Sequence, residues 1–319
     1  MNEIYKRISY KGKLEDISLA VCEKFNLEDF LSNDLVVMGY EDFNFALKTT
    51  KGNYFVKVFS NFRSYADCKR YVDVMLKVAE NGVKTPPLLR SKQGYLCKLK
   101  INDCNLRLCV TPFIEGKTLY ELNERLNEKE IRFLAGQAAQ INLIDIKPKP
   151  VYDSWAVVNF LKEYKIKGKY MSKSDVDLVK PLLEEFKSLD VKELPHCFVH
   201  GDMIATNVMK DKQGQLWIID FAVSNYYPRI QEIAVLACNL LFDPVNKSKT
   251  KNNLEIALEE YQRGIKLTDK ELAALPTYIK LAHAMHILGG SHGNATGLST
   301  PEENEHWIQE GREGLLQRL

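Results

Sequence analysis

Several features that would mark a secreted, membrane-spanning or nucleic-acid-binding protein are missing from this sequence. The seven cysteines are odd in number and none follows C-x-x-C spacing, which argues against a disulfide framework or a zinc ribbon. No stretch is both long and apolar enough to cross a bilayer, and Met1–Arg7 leads into mixed polar sequence rather than an apolar leader. Lys and Arg total 44 against 42 Asp and Glu, so a nucleic-acid binder's basic excess is also missing. These absences favour a cytoplasmic globular protein that binds neither nucleic acid nor membrane.

The 319 residues exceed the usual length of one domain and predict two lobes. The first third is rich in β-branched and aromatic runs around one helix, Arg63–Glu80, which ends at Asn81-Gly82. Strands are predicted at Leu35–Met38, Phe43–Thr49, Tyr54–Phe59, Tyr95–Ile101 and Leu106–Thr111. Beyond Gly116 the pattern is mostly helical, with helices near 128–144, 154–166, 174–188, 229–241, 252–264, 269–288 and 301–316. We therefore expect an α+β chain with a β-rich lobe at 1–116 and a larger helical lobe at 117–319, together forming one catalytic domain.

One segment concentrates polar groups at the ends of two apolar runs. His200 and Asp202 follow the run Phe198-Val199, Asn207 comes five residues after Asp202, and Asp220 ends the run Trp217–Ile219. The oxygens of Asn207 and Asp220 suit Mg²⁺, which is usually shared with substrate phosphates. Asp202 then remains to orient or deprotonate a hydroxyl nucleophile. This set of groups fits phosphoryl transfer, where a protein mainly positions groups and neutralises charge.

The pattern H-G-D-x-x-x-x-N followed by I-I-D-F resembles the catalytic signature of the aminoglycoside phosphotransferase, choline kinase and homoserine kinase superfamily. The segment around Gly39 and Asn44, with Lys57 in YFVKVF, is similar to that superfamily's nucleotide-binding hairpin. The run TPFIEG at 111–116 is similar to its hinge. The resemblance implies a bilobal protein-kinase-like fold and an enzyme that uses ATP and Mg²⁺ to phosphorylate a hydroxyl group of a small molecule.

The resemblance also implies a role for each matching position. Asp202 would be the catalytic base and His200 would brace its loop, while Asn207 and Asp220 would bind Mg²⁺. In the first lobe, the resemblance implies that Lys57 and Asn44 contact the nucleotide, with Lys57 on the α- and β-phosphates. It also implies that the Pro112 carbonyl and the Ile114 N–H contact the adenine edge.

The acidic partner of Lys57 is ambiguous in the sequence. Asp67, Asp73 and Glu80 all lie on the predicted 63–80 helix, and spacing favours Asp73. Glu232 stands where relatives commonly carry Asp. A nucleotide-binding pseudokinase with a regulatory role is the alternative function; the intact Asp202, Asn207 and Asp220 argue against it, and the ambiguous partner of Lys57 is the one feature in its favour.

The substrate is expected to be small, because about ten residues separate Asp220 from the next predicted helix and leave no room for a long peptide-docking segment. Aminoglycosides, choline or ethanolamine, homoserine and sugars such as methylthioribose all remain open as acceptors. The aromatic residues Trp155, Tyr226, Tyr227 and Trp307 either line a pocket suited to a cation or are ordinary core residues. The glutamates of the last helix either face solvent or grip an amine-bearing substrate. The protein is expected to be a monomer or a weak homodimer.

Overall fold

The computed structural model of the protein describes residues 3–36 and 41–317 and contains two compact units. Unit 1 comprises the chain up to Gly116 together with Met209–Ile219, and unit 2 comprises Lys117–Val208 and the chain from Asp220 onward. The expected division at residue 116 assigned 209–219 to the second lobe, whereas this segment packs with the first. Backbone hydrogen bonds explain the difference: Ile218 N–H donates to the Lys84 carbonyl and Lys212 N–H to the Glu115 carbonyl.

Unit 1 is built on an antiparallel five-stranded sheet of order β1–β2–β3–β5–β4. Tight turns join β2 to β3 and β4 to β5, so the neighbouring strands pair in simple antiparallel register. The strands are β1 (Phe30–Val36), β2 (Phe43–Thr49), β3 (Gly52–Val58), β4 (Cys97–Ile101) and β5 (Cys104–Pro112). The helices are α1 (Glu3–Lys6), α2 (Leu14–Phe25) and α3 (Tyr65–Glu80), and α3 begins with a capping box of Ser64 and Asp67. A further sheet has the order β6–β8–β9, in which β6 is Gly116–Thr118, β8 is Val208–Asp211 and β9 is Leu216–Ile218.

The sequence pattern predicts a single helix in the β-rich lobe and therefore misses α2. Its buried positions Leu14, Ile17, Val21 and Phe25 repeat at helical spacing and join the core beneath the sheet. The periodic signal was therefore present in the sequence, over a helix only 12 residues long.

Unit 2 is mainly helical, with one two-stranded antiparallel sheet of β7 (His196–Val199) and β10 (Asn225–Pro228). The helices are α4 (Leu119–Leu122), α5 (Glu128–Asn142), α6 (Phe160–Lys167), α7 (Lys173–Val179), α8 (Leu182–Ser188), α9 (Ile230–Cys238), α10 (Lys247–Gly264), α11 (Asp269–Thr296) and α12 (Pro301–Gln317). The longest helix, α11, packs against α12 and α9, and α5 packs against β7 of the sheet. None of the helices in the described part of the chain is long and apolar enough to span a membrane.

The prediction that the helix beginning at 269 ends near 288 is wrong. The helix continues to Thr296 and ends at Gly297, whose φ of 68° is left-handed. Close packing explains this: a Cβ on Gly289 would lie 2.2 Å from the Trp155 ring, and one on Gly290 would lie 2.5 Å from the Asn304 carbonyl oxygen. Tertiary contacts that only glycine permits here offset its low helix propensity.

Candidate active site

The loop that follows β7 in unit 2 carries Asp202. His200, which precedes it, is fully buried with its ring 4.4 Å from that of Phe221. The His200 Nδ1 atom accepts a hydrogen bond from the Asp202 N–H at 3.2 Å, which assigns the proton of the neutral ring to Nε2. Gly201, between them, adopts a φ of 83°. The histidine therefore fixes the backbone immediately before the carboxylate.

Helix α9 and the residue after it hold the same loop from the other side. The Glu232 Oε2 atom accepts from the Gly201 N–H at 3.2 Å, and the Asn239 Oδ1 atom accepts from the Ala205 N–H at 2.8 Å. The sequence marked Glu232 only as a departure from the family's usual Asp, and Asn239 carried no sequence signal. Both side chains satisfy backbone donors in a loop that has few partners of its own.

Asp202 and Asn207 are in direct contact. The Asn207 Nδ2 atom donates to the Asp202 Oδ2 at 2.7 Å and to the Asp202 carbonyl at 3.0 Å, which leaves the amide oxygen as the Asn207 atom suited to a cation. Asp220 has a left-handed φ of 62°, and its Oδ1 accepts from the Ala222 N–H at 3.2 Å. A carboxylate and an amide oxygen are hard ligands, so the donor chemistry of these two residues fits Mg²⁺.

Asp202 is one of three carboxyl groups of unit 2, with Glu232 and Glu310, whose pKa burial raises to about 7. Burial raises the pKa of Asp202 to about 7, the negative charges of Asp153 and Asp220 act in the same direction, and the Asn207 hydrogen bond opposes them. A carboxylate with a pKa near the working pH is suited to accept a proton from a hydroxyl group. Burial likewise raises the pKa of Asp153 to about 6.

Nothing in the sequence indicated that Asp153 belongs near this site. The residues on both sides of it are held by α6: Lys167 donates to the Ser154 carbonyl at 3.1 Å, and the Tyr152 hydroxyl donates to Glu163, which forms a buried ion pair with Lys167 at 2.9 Å. The Trp155 N–H donates to Asp153 Oδ1 at 2.8 Å. Asp153 is therefore held through its neighbours by side chains of α6.

The nucleotide residues predicted in unit 1 lie on adjacent strands. Asn44 on β2 is directly opposite Lys57 on β3, and Lys57 Nζ lies 3.3 Å from Asp42 Oδ2, with both side chains buried. Asp42 also accepts from Arg63 Nε at 2.9 Å and from the Ser60 N–H at 3.0 Å. Burial opposes ionisation of Asp42, but the charges of Lys57 and Arg63 outweigh it and hold the pKa of Asp42 below its usual value.

The expectation that Asp73 is the carboxylate partner of Lys57 is wrong. Asp73 is 55% exposed and pairs with Lys69, four residues earlier on the same helix, at 2.6 Å. Asp42 lies immediately before β2 begins, whereas the acidic residues considered in the sequence were those of the following helix. Gly39, the other residue of the predicted hairpin, lies outside the described residues.

The predicted hinge follows the last pairs of β5 in unit 1. Pro112 is opposite Tyr54 on β3, the Phe113 N–H donates to the Asn53 carbonyl, and the Ile114 carbonyl accepts from the Gly116 N–H. The contacts proposed for the Pro112 carbonyl and the Ile114 N–H remain predictions.

Two of the four aromatic residues singled out in the sequence come together in unit 2. The Trp155 and Trp307 rings are 6.3 Å apart, whereas Tyr226 stacks on His196 instead. His283 of α11 takes part in helix packing, since it lies against Gly311 and Gly314 of α12. Within residues 3–36 and 41–317, no three His, Cys, Asp or Glu side chains form a group that could hold a metal ion.

Comparison with known proteins identifies the family to which the chain is similar. The profile of the phosphotransferase enzyme family matches residues 35–264, which is most of the chain. The chain belongs to this family. Homoserine kinase of Methylobacterium nodulans is 24% identical over 269 residues, covering 81% of this chain and 79% of that protein. Homoserine kinase of Rhodopseudomonas palustris is 21% identical over 283 residues, covering 83% and 80%.

Solved structures of other members share the fold of this phosphotransferase. A spectinomycin phosphotransferase bound to ADP and spectinomycin superimposes with a TM-score of 0.70 at 13% identity, covering 97% of this chain and 99% of that one. A choline kinase from Streptococcus pneumoniae gives a TM-score of 0.62 at 16% identity, covering 94% and 99%. The expected α+β protein-kinase-like fold and the expected class of enzyme, a small-molecule kinase, are confirmed.

Proposed function

We propose that this phosphotransferase moves the γ-phosphoryl group of ATP to a hydroxyl group of a small acceptor in a Mg²⁺-dependent reaction. The observation that carries the proposal is the contact of Asp202 with Asn207 in a loop fixed by His200, close enough to Asp220 for its charge to raise the pKa of Asp202. In this reaction, positioning and charge neutralisation supply most of the rate enhancement.

Each side chain has a defined task in this proposal. Asp202 would align the acceptor hydroxyl and accept its proton as the oxygen attacks phosphorus, and His200 keeps the loop in place for that transfer. Lys57, held by Asp42, would bind the α- and β-phosphates. Asn207 and Asp220 would hold Mg²⁺, which when bound neutralises the charge of the phosphate oxygens.

The pseudokinase alternative loses the one feature in its favour. That feature was the absence of an evident carboxylate for Lys57, and Asp42 supplies one. Homoserine is the first acceptor to test, because the homoserine kinases above are matched over 79% and 80% of their own lengths.

The proposal is tested by measuring ADP release with Mg-ATP and homoserine, choline, ethanolamine, methylthioribose or an aminoglycoside. We expect at least one acceptor to be turned over, and Asp202→Asn to lower its kcat by about a hundredfold or more. Asp177→Asn, which changes an exposed aspartate of α7, is the matched control and should retain full activity. Full turnover by Asp202→Asn would contradict the assignment of the base, and failure of all acceptors would contradict the function.

A further inference from the structure

Helix α3 of unit 1 was expected to bring a carboxylate to Lys57, and an aromatic ring of this helix lies there. The Lys57 Nζ atom lies over the face of the Tyr71 ring, 5.3 Å from its centre. Of the acidic residues of the helix, Asp67 accepts hydrogen bonds in the capping box at its first turn, and Glu80 pairs with a lysine of its last turn. The contact between α3 and Lys57 is therefore a cation–π contact with Tyr71.

Packing in unit 1 fixes the orientation of the Tyr71 ring. Tyr71 is buried, and its ring meets that of Phe59 edge to face, with the centres 5.5 Å apart and the planes at 73°. Phe59 is itself fully buried, directly follows β3, and donates its N–H to the Arg107 carbonyl at 2.8 Å. The strand that carries Lys57 thus also carries the ring that holds Tyr71 against it.

The charges around Lys57 explain why a ring suits this place. The Asp42 carboxylate accepts from both Lys57 and Arg63, so these three side chains together carry one net positive charge. Glu41 also pairs with Arg63, but it is 71% exposed, and water weakens such a pair. A second buried carboxylate would cancel the remaining charge. The face of an aromatic ring attracts an ammonium group and leaves its charge available to an anion.

We propose that Tyr71 is a positioning residue for the nucleotide, whose ring holds the Lys57 ammonium group where it meets the α- and β-phosphates without neutralising it. This inference rests on the proposed function, in which Lys57 binds those phosphates. The ring acts through the lysine, so its contribution belongs to the phosphates and not to the adenosine part of the ligand. A cation–π contact is worth most where the cation is desolvated, and the Lys57 side chain is only 9% exposed.

The first test compares a ligand that has phosphates with one that lacks them. Calorimetry, by displacement where a ligand binds weakly, gives the affinities for Mg-ADP and for adenosine. Tyr71→Leu should weaken Mg-ADP binding by about fivefold or more and change adenosine binding by less than about twofold. Tyr71→Phe keeps the ring face and should stay within about twofold of the wild type for both ligands. Unchanged Mg-ADP affinity in Tyr71→Leu, or equal losses in the two variants, would overturn the proposal.

Tyr10→Leu is the matched control for removal of a buried ring. Tyr10 is a fully buried tyrosine of unit 1 and belongs to the core that α2 joins beneath the sheet. Both Tyr→Leu changes should lower the melting temperature, because each leaves a cavity, but only Tyr71→Leu should weaken Mg-ADP binding. An equal loss of Mg-ADP affinity in Tyr10→Leu would trace the effect to a loosened unit and overturn the positioning role.

Fluorinated phenylalanines at position 71 test the ring without removing it. Each fluorine atom withdraws electron density from the ring face while the size of the side chain changes little, so this series stays usable even if Tyr71→Leu does not fold. Mg-ADP affinity should fall with the number of fluorine atoms, by about fivefold or more across the series, while adenosine affinity stays constant. Mg-ADP affinity that is independent of fluorination would overturn the cation–π contact.

Removal of the lysine separates failure of this inference from failure of the proposed function. Lys57→Met should abolish most of the preference for Mg-ADP over adenosine, and adding Tyr71→Leu should then cost less than about twofold more. Losses that multiply independently would overturn the link between ring and lysine. If Lys57→Met lost the preference and Tyr71→Leu kept it, the inference alone would be contradicted. If the wild-type protein bound Mg-ADP no better than adenosine, both the inference and the proposed function would be contradicted.

Discussion

Glu232 offers a sharp test of how the loop that carries Asp202 is stabilised, because its carboxylate is almost completely buried and accepts a backbone hydrogen bond from that loop. The side chain is 1% exposed, and its Oε2 atom accepts from the Gly201 N–H. Burial raises the pKa of Glu232 to about 7 from a usual value of 4.5, against the lowering effect of the loop N–H groups. Glu232→Gln keeps an oxygen for Gly201 and removes the titration.

The sign of the pH effect follows from the direction of this shift. A folded state that raises the pKa of an acid favours its protonated form, so the stabilisation is complete below the unfolded pKa and is lost as the pH rises through the folded pKa. The relevant window runs from 4.5 to about 7. With about 1.4 kcal/mol per pKa unit, wild-type protein should lose about 2–3 kcal/mol through Glu232 between about pH 5 and pH 8, and Glu232→Gln should lose none of it.

Urea unfolding followed by tryptophan fluorescence measures this difference. In a Trp217→Phe background the remaining tryptophans, Trp155 and Trp307, both report on unit 2. The quantity to compare is the change in the free energy of unfolding between about pH 5 and pH 8, measured in that background with and without Glu232→Gln. Glu184→Gln is the control, because Glu184 is 79% exposed and its removal should leave the pH dependence unchanged. Parallel pH curves for the proteins with and without Glu232→Gln would refute the reasoning.

Two further substitutions test packing and the nucleotide lysine. Gly289→Ala should destabilise the protein by about 1–3 kcal/mol in thermal unfolding, because its Cβ would lie 2.2 Å from the Trp155 ring. Gly136→Ala, whose Cβ would meet no atom closer than 4.0 Å, should be neutral or stabilising, and equal effects of the two changes would contradict the packing argument. Asp42→Asn should weaken ATP binding by about tenfold in calorimetry, because the buried lysine loses a counter-ion at 3.3 Å. Asp73→Asn should leave ATP binding unchanged, and an equal loss would restore Asp73 as the partner.

Lys57 illustrates which features the local sequence pattern predicts and which it does not. Alternation of apolar residues placed Phe43–Thr49 and Tyr54–Phe59 on strands, and the structure pairs Asn44 with Lys57 across them. The partner carboxylate was sought on the following helix because its acidic residues are prominent in the sequence. Which carboxylate reaches a lysine depends on strand register and on the path of a turn, and neither is encoded by spacing along one helix.

The side chains that connect the Asp202 loop to the last helix were harder to predict from the sequence. Glu310 stood out only as one glutamate among several on the last helix, and Asn239 carried no pattern at all. Their connection to the catalytic loop spans 34 residues from Ala205 to Asn239 and 71 residues from Asn239 to Glu310. Long-range side-chain hydrogen bonds of this kind leave no periodic trace.

The sequence by itself indicated the enzyme class, because the pattern H-G-D-x-x-x-x-N followed by I-I-D-F resembles the catalytic signature of a superfamily of small-molecule kinases. It also determined the α+β class, since alternation and helical periodicity are local properties of the chain. Only the tertiary structure decided which groups surround the predicted site residues: Asp42 beside Lys57, and Glu232 and Asn239 on the loop of Asp202. The physical reason is that burial, charge and hydrogen bonding at a site arise from side chains that are distant in sequence and meet only after the chain has packed.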